Sequence, residues 1–152
     1  MKGLPYGRTN ATDDFLSVLR EQKGTCSSKH ALLALLAREC NLPYMLTVGI
    51  YCMNEDNTPG IGAVLDQFDM LDVPEAHCYL TYNGVRYDYT RVGGSPIDDF
   101  LLEHYIEPEQ IGSLKSSIHK AFLMECFGAD RLDDVWSIRE MCIQALVELE
   151  HT

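Results

Sequence analysis

The sequence is poor in positive charge and has no long apolar run. Its 152 residues include 12 lysines and arginines against 23 aspartates and glutamates, a formal net charge of −11. Nucleic acids and anionic membrane surfaces both require a basic protein face, so we expect neither as a partner. No stretch is apolar enough to span a bilayer, and the first residues lack the hydrophobic region of a signal peptide. These absences predict a soluble, cytoplasmic protein.

The cysteine patterns of a zinc site are also missing. The six cysteines are scattered, with no CxxC pair and no Cys-His spacing typical of zinc sites. In a reducing compartment we expect free thiols, no metal and no other cofactor. One alternative stays open: His30 follows Cys26 by four residues, so the two side chains share a helix face and could be half of a metal site.

A cysteine at the start of a strong helix former is the first feature that is present. Gly24-Thr25-Cys26 leads into an alanine- and leucine-rich segment that ends near Cys40. Thr25 suits the N-cap, and a thiol at the first helical residue ionises more easily because it faces the positive end of the helix dipole. Apolar residues occupy almost every face of this helix, which predicts that it is a buried central helix. The alternative is that Cys26 is a small, inert helix-start residue.

An Asn-Gly pair at 83–84 between two strand-like runs predicts a two-residue hairpin. The turn sets a register in which Tyr82 pairs with Val85, Leu80 with Tyr87 and Cys78 with Tyr89, on one apolar face. The other, polar face then carries residues that include His77, Tyr79, Thr81, Arg86, Asp88 and Thr90. Since His77 and Asp88 are diagonal neighbours there, we expect their side chains to meet.

Other elements follow from periodicity and capping signals. We expect a helix from Thr12 to about Gln22, a buried strand over 44–53, and an ambiguous segment over 63–75. Ser95-Pro96 predicts a further helix that carries Ile97 to Tyr105, with Ser95 as its cap. Two more helices are expected over 114–127, closed by Gly128, and over about 130–150.

Several polar residues are given ordinary interpretations. His104 and His119 are expected to be surface or boundary histidines, and Lys29 a solvated helix-start lysine. Cys78 is expected in the core, and the remaining cysteines in apolar surroundings. The acidic cluster is interpreted as a solvated loop; its members are Asp66, Asp69, Asp72 and Glu75.

Cys26, His77 and Asp88 together form a nucleophile, a base and an orienting carboxylate. His77 would take the proton of Cys26 and later give one to a leaving group, while Asp88 would hold the imidazole. The amide of Cys26 is one donor to an oxyanion, with Gln22 a candidate second donor. Tyr79 is a candidate to line the cleft, and His30 is an alternative partner of the thiol.

This order of motifs resembles the transglutaminase-like superfamily, which has a papain-type cysteine core. The resemblance covers about residues 24–90, through Gly24-Thr25-Cys26, the following helix, His77-Cys78-Tyr79 and Tyr87-Asp88-Tyr89-Thr90. Ser27 stands where many members have tryptophan, and His77-Cys78-Tyr79 replaces the usual His-Ala-Trp. The resemblance implies that Cys26, His77 and Asp88 are the catalytic triad.

The expected fold is α+β, with a papain/transglutaminase-like core in which the cysteine-bearing helix packs on an antiparallel sheet. One domain over 1–152 is expected, with a catalytic core at about 12–92 and a C-terminal helical extension at about 95–150. The expected function is thiol-dependent acyl transfer on amide bonds through an acyl-cysteine intermediate. The substrate would be a peptide or another amide, with water or an amine as acceptor. The alternative is a catalytically silent interaction or scaffold domain of the same fold.

Overall fold

A four-stranded antiparallel sheet with the strand order β3-β2-β1-β4 forms the centre of the computed structural model, which describes residues 1–11, 14–92 and 96–149. Each neighbouring pair of strands is antiparallel. The strands are β1 (Met45–Met53), β2 (Val73–Tyr82), β3 (Val85–Tyr87) and β4 (Leu102–Tyr105). Helices pack on both sides of this sheet, so the predicted α+β class is confirmed.

Five α-helices lie within the described residues, and none of them is long and apolar enough to cross a membrane. Short 3-10 turns at Pro108–Gln110 and Ala129–Arg131 precede the last two. The predicted helices that begin at Cys26, near Leu114 and near Asp130 are confirmed. The helices are α1 (Ser17–Arg20), α2 (Cys26–Glu39), α3 (Gly62–Asp66), α4 (Ser113–Phe127) and α5 (Leu132–Leu149).

Each face of the sheet has its own apolar cluster. On one face, alternate residues of β1 and β2 pack with α2, through a cluster that includes Ala31, Ala34, Leu46, Val48, Ile50 and Cys78. On the other face, the sheet packs with α3, α4 and α5, through a cluster that includes Tyr51, Met53, Leu65, Val73, Leu123, Val135 and Leu146. Because side chains alternate along a strand, β1 contributes to both clusters.

The prediction that α2 is buried all round is wrong. Its alanines at 31, 34 and 37 are buried, whereas Leu36 is 57% exposed. The buried part also includes the polar first turn, with Ser27, Ser28, Lys29 and His30. Small side chains on the buried face let the helix approach the sheet closely. The buried and exposed faces of α2 therefore differ in side-chain size more than in polarity.

The predicted hairpin register is confirmed at Tyr82–Val85 and Leu80–Tyr87. Arg86 and Asp88 of its polar face are exposed, whereas the β2 residues before Leu80 are buried. Glu75, His77 and Tyr79 are 4%, 7% and 1% exposed. The assignment of Glu75 to a solvated loop is therefore wrong. Its carboxylate accepts two hydrogen bonds from the Arg139 guanidinium of α5, one of them 2.7 Å long from Nη2.

The helix expected after Ser95 is also wrong over the described part, and Ser95 itself lies outside the described residues. Residues 102–105 form β4 instead, which pairs with β1 so that Gly49 faces Glu103. The preceding Phe100 ring packs against Gly49, where a Cβ atom would collide with it. Backbone pairing with the second edge of β1 outweighs the local helical spacing of the apolar residues.

The first predicted helix is much shorter than expected. It was predicted from Thr12 to about Gln22, but α1 covers Ser17–Arg20 alone, and Thr12 and Asp13 lie outside the described residues. Asp14 accepts a hydrogen bond from the amide of Leu16 at 3.1 Å, and its carboxylate pairs with Arg20. Asp14 thus uses its side chain in a turn, which competes with continuation of a helix.

We predict that Arg139→Met lowers the free energy of unfolding by about 3 kcal/mol or more, because it leaves the Glu75 carboxylate buried without its partner. Urea denaturation measures this loss. Arg38→Met is the control, since Arg38 is half exposed and pairs with Glu109 at the surface. Arg38→Met should lower the free energy of unfolding by less than about 1 kcal/mol. Equal losses in the two variants would contradict a special role for the buried pair.

Candidate active site

Cys26 is the first residue of α2, as the sequence predicts. Thr25 has an extended backbone, its hydroxyl accepts a hydrogen bond from the amide of Ser28, and the Ser28 hydroxyl accepts one from the amide of Thr25. This reciprocal capping box fixes the helix start. The Cys26 amide has no intrahelical acceptor at this position. It points out of the N-terminus of α2, where the positive end of the helix dipole lies.

His77 and Asp88 meet, also as predicted. The Nε2 atom of His77 on β2 lies 2.7 Å from Oδ2 of Asp88, which follows β3. The other carboxylate oxygen accepts hydrogen bonds from the amide and the hydroxyl of Thr90, at 2.8 and 2.6 Å. Burial alone would raise the pKa of Asp88, but these hydrogen bonds and the charge of His77 hold it well below its usual range. Asp88 is therefore a fixed negative charge.

The β2–β3 ladder ends earlier than the sequence predicts. Cys78 was expected to pair with Tyr89, whereas β3 ends at Tyr87. The amide of Tyr89 donates instead to Nε2 of His30 on α2, at 2.8 Å. The amide of Cys78 hydrogen-bonds to the sulfur of Cys26. The thiol is thus near the edge of β2 at Cys78, which β3 does not cover.

Cys26 and His77 hydrogen-bond to each other and stabilise each other's charged forms. Burial would raise the pKa of the Cys26 thiol, but the positive charges of Lys115 and His77 outweigh it and lower the pKa to about 6. Burial would likewise lower the pKa of His77, but the thiolate and Asp88 raise it to about 10. Between these two values the site holds a thiolate beside an imidazolium, the nucleophilic state of a cysteine.

Sequence reasoning missed Lys115, which comes from the third residue of α4. Its ammonium donates a hydrogen bond to the hydroxyl of Ser27 at 2.9 Å, and that hydroxyl lies 3.8 Å from the sulfur of Cys26. The 88-residue separation explains the omission, because nothing local in the segment around Lys115 indicates which surface α4 will meet. Lys115 adds a second positive charge beside the thiolate.

His30 is a structural residue rather than the partner of the thiol. Since Nε2 accepts from Tyr89, the proton lies on Nδ1, which donates to the carbonyl of Cys26 at 2.8 Å. Burial is the main reason that its pKa falls to about 4. With both ring nitrogens occupied, His30 does not supply half of a metal site. Within the described residues, no group of three potential ligands is arranged to hold a metal ion.

Two other polar residues are more buried than expected. Lys29 is fully buried, and its ammonium donates to the carbonyls of Leu4 and Thr90 at 2.6 and 2.7 Å. The interpretation of Lys29 as solvated is therefore wrong, since it joins α2 to two other segments. His119 is 1% exposed and hydrogen-bonded to the carbonyl of Pro74 at 2.7 Å, so its surface assignment is wrong too.

Of the remaining predictions for histidines and cysteines, some are confirmed and some are wrong. His104 is exposed, as expected. All six cysteines are free thiols. Cys78 and Cys142 are buried, as expected, whereas Cys40 and Cys126 are exposed and the prediction of apolar surroundings is wrong for them.

Two cavities meet at Cys26. The first, of about 330 Å³, is lined by Cys26, His77 and Asp88 and by an aromatic wall that includes Tyr51, Tyr79 and Phe100. Tyr79 therefore lines the cleft as predicted, and its hydroxyl donates to Glu103. The second, of about 240 Å³, lies on the side of Ser27 and Lys115. Although Cys26 is 4% exposed, both cavities reach it.

Gln22 is not brought into the site. It is exposed, with a left-handed backbone at φ 52°, and it lines neither of the two cavities. Tyr6 lies there instead, and its side chain lines both cavities together with Cys26. The N-terminal segment that carries Tyr6 is held by a bridge to Gly24. The position of Gln22 two residues before Gly24 was thus a poor guide to its side chain.

Comparison of the chain with protein-family models, with curated proteins and with solved structures finds no match.

We predict that His77 and His30 differ in charge near neutral pH. Because its pKa is raised, His77 should stay doubly protonated up to about pH 9, whereas the lowered pKa of His30 keeps it neutral with the proton on Nδ1. Nitrogen-15 NMR of the imidazole rings against pH measures both states. Asp88→Asn should move the titration of His77 to lower pH and leave His30 neutral. A neutral His77 at pH 7 in the unmutated protein would contradict the ion pair.

Proposed function

We propose that this protein is a thiol-dependent acyl-transfer enzyme with a papain/transglutaminase-like core, acting on amide bonds through Cys26, His77 and Asp88. One observation carries the proposal. Segments 51 and 62 residues after Cys26 converge so that its helix-start thiol hydrogen-bonds to His77, whose Nε2 lies 2.7 Å from the Asp88 carboxylate. Structural cysteines, by contrast, have raised pKa values when buried, as Cys78 has.

Acylation begins with attack of the Cys26 thiolate on the carbonyl carbon of the substrate. A carbon–sulfur bond forms, and the carbonyl oxygen takes the negative charge beside the amide of Cys26. When this intermediate collapses, the carbon–nitrogen bond breaks. His77 gives its proton to the departing amine, which leaves as a neutral molecule, and the acyl group stays on sulfur.

Deacylation reverses the roles of the same groups. Water or an amine attacks the thioester carbon, and neutral His77 accepts the proton of that nucleophile. The carbon–sulfur bond breaks and restores the thiolate beside the imidazolium. Hydrolysis and transamidation share every earlier step, so both remain within the proposal. The acceptor and the leaving amine use the His77 side of the sulfur, where the larger cavity lies.

Alkylation of individual cysteines tests the nucleophile. We predict that iodoacetamide labels Cys26 with an acid limb near pH 6, because its pKa is lowered to about that value. Below that pH the thiol is protonated and the labelling rate should fall. Mass spectrometry resolves the six cysteines, and the exposed Cys40 and Cys126 are references within the same molecule. In His77→Ala the rate for Cys26 at pH 7 should fall about tenfold or more.

Acyl transfer is then measured with p-nitrophenyl acetate. A burst of p-nitrophenolate equal to the enzyme concentration, with the acetyl group on Cys26, is the expected result. Cys26→Ser should abolish the burst, whereas Cys40→Ser should retain it. If Cys26 reacts like Cys40 and Cys126 at every pH, or forms no acyl-enzyme, the enzyme proposal fails and a silent interaction domain of this fold takes its place.

A further inference from the structure

The two sides of the Cys26 sulfur differ in chemistry. His77 and Asp88 line the larger cavity but not the smaller one. Ser27 and Lys115 line the smaller cavity but not the larger one. When the sulfur attacks a carbonyl carbon, the carbonyl oxygen and the leaving group project from that carbon in different directions. Since the leaving group needs the proton of His77, the oxygen points to the opposite side. That side is the cavity of Lys115.

Lys115 has no carboxylate partner among the described residues. The other cations around the smaller cavity do: Arg139 pairs with Glu75 and Glu140, and Arg8 pairs with Glu140. The ammonium of Lys115 donates to the neutral hydroxyl of Ser27, which lies beside the sulfur of Cys26. The Cys26 thiolate is therefore the negative charge around Lys115 that no arginine already pairs with. Burial alone would lower the pKa of Lys115, but the negative charges of Cys26, Cys78 and Glu75 together raise it, with Cys26 the largest of the three.

The counter-ion of Lys115 changes during acyl transfer. When the thiolate attacks, its negative charge moves from sulfur to the carbonyl oxygen, and in the acyl-enzyme the charge is gone. His77 also loses its charge when it protonates the leaving group. Lys115 stays positive throughout, so its attraction is strongest in the two states where an anion is present beside it.

We propose that Lys115 is a further catalytic residue, whose ammonium stabilises the carbonyl oxygen in the smaller cavity while the Cys26 amide donates to the same oxygen. This inference rests on the proposed function, of which it supplies the second oxyanion donor. It also divides the substrate: the carbonyl oxygen lies toward Lys115 and Ser27, and the leaving amine lies toward His77.

The test compares Lys115→Met, Lys115→Arg and Lys120→Met. Lys120 is an exposed residue of the same helix whose ammonium lies over the Trp136 ring, so its variant is the matched control. Single-turnover acetylation of Cys26 by p-nitrophenyl acetate is measured against pH, and each rate is divided by the thiolate fraction that the iodoacetamide profile of the same variant gives. A changed rate per thiolate then reports stabilisation of the oxyanion rather than a changed amount of thiolate.

Lys115→Met should slow acetylation per thiolate roughly 100-fold, the loss typical of a removed oxyanion donor. Lys115→Arg should recover part of the rate, and Lys120→Met should match the unmutated protein. The iodoacetamide profile gives an independent readout: Lys115→Met should move the acid limb of Cys26 to higher pH. If Lys115→Met fails to fold, Lys115→Gln replaces it in both assays.

Two failures are distinguishable. If Lys115→Met or Lys115→Gln acetylates at the unmutated rate while His77→Ala loses the reactivity of Cys26, the role of Lys115 is overturned and the proposed function stands. A shifted alkylation profile with an unchanged acetylation rate also overturns the catalytic role, because Lys115 would then act on the thiol alone. If the unmutated protein forms no acetyl-enzyme, both proposals fall.

Discussion

The early end of the β2–β3 ladder is the constraint on which the rest of the site depends. After Tyr87 the chain leaves β2, and the Tyr89 amide finds its acceptor on His30 of α2. This departure uncovers the edge of β2 at Cys78, whose amide then meets the sulfur of Cys26. A longer ladder would fill that edge and exclude the helix start. One or two residues of strand length therefore decide whether a thiol can reach His77.

Burial of so many charges is tolerable because each one has an opposite charge or several hydrogen-bond partners beside it. The Asp88 carboxylate meets His77 and Thr90, and Glu75 meets Arg139. An isolated buried ion would cost several kcal/mol, whereas a paired and hydrogen-bonded ion recovers most of that cost. The thiolate differs from the others, since its compensation comes from two separate cations. Cys26 therefore keeps compensation on one side when His77 loses its proton.

Local signals predicted the parts of the fold that local geometry controls. The Asn-Gly turn set the register that places His77 beside Asp88, and Thr25 marked the start of α2 at Cys26. The meeting of Cys26 with His77 was expected from the triad pattern, not from local geometry. Long-range packing decided the rest. The strand β4 has apolar spacing that suits a helix, and only its pairing with β1 reveals its state. Lys115 and the burial of His119 depend on where α4 packs, which no short window of sequence records.

The C-terminal helices belong to the chemistry as much as to the fold. A papain-like core predicted from residues 24–90 accounts for the nucleophile, the base and the carboxylate, but it leaves one face of the sheet without cover. The helices α4 and α5 cover that face with Leu123, Val135 and Leu146, and the same helices bring Lys115 and Arg139 to the smaller cavity. A variant that loses α4 would lose packing and a charge beside the thiolate together. Stability and reactivity are thus coupled through one helix.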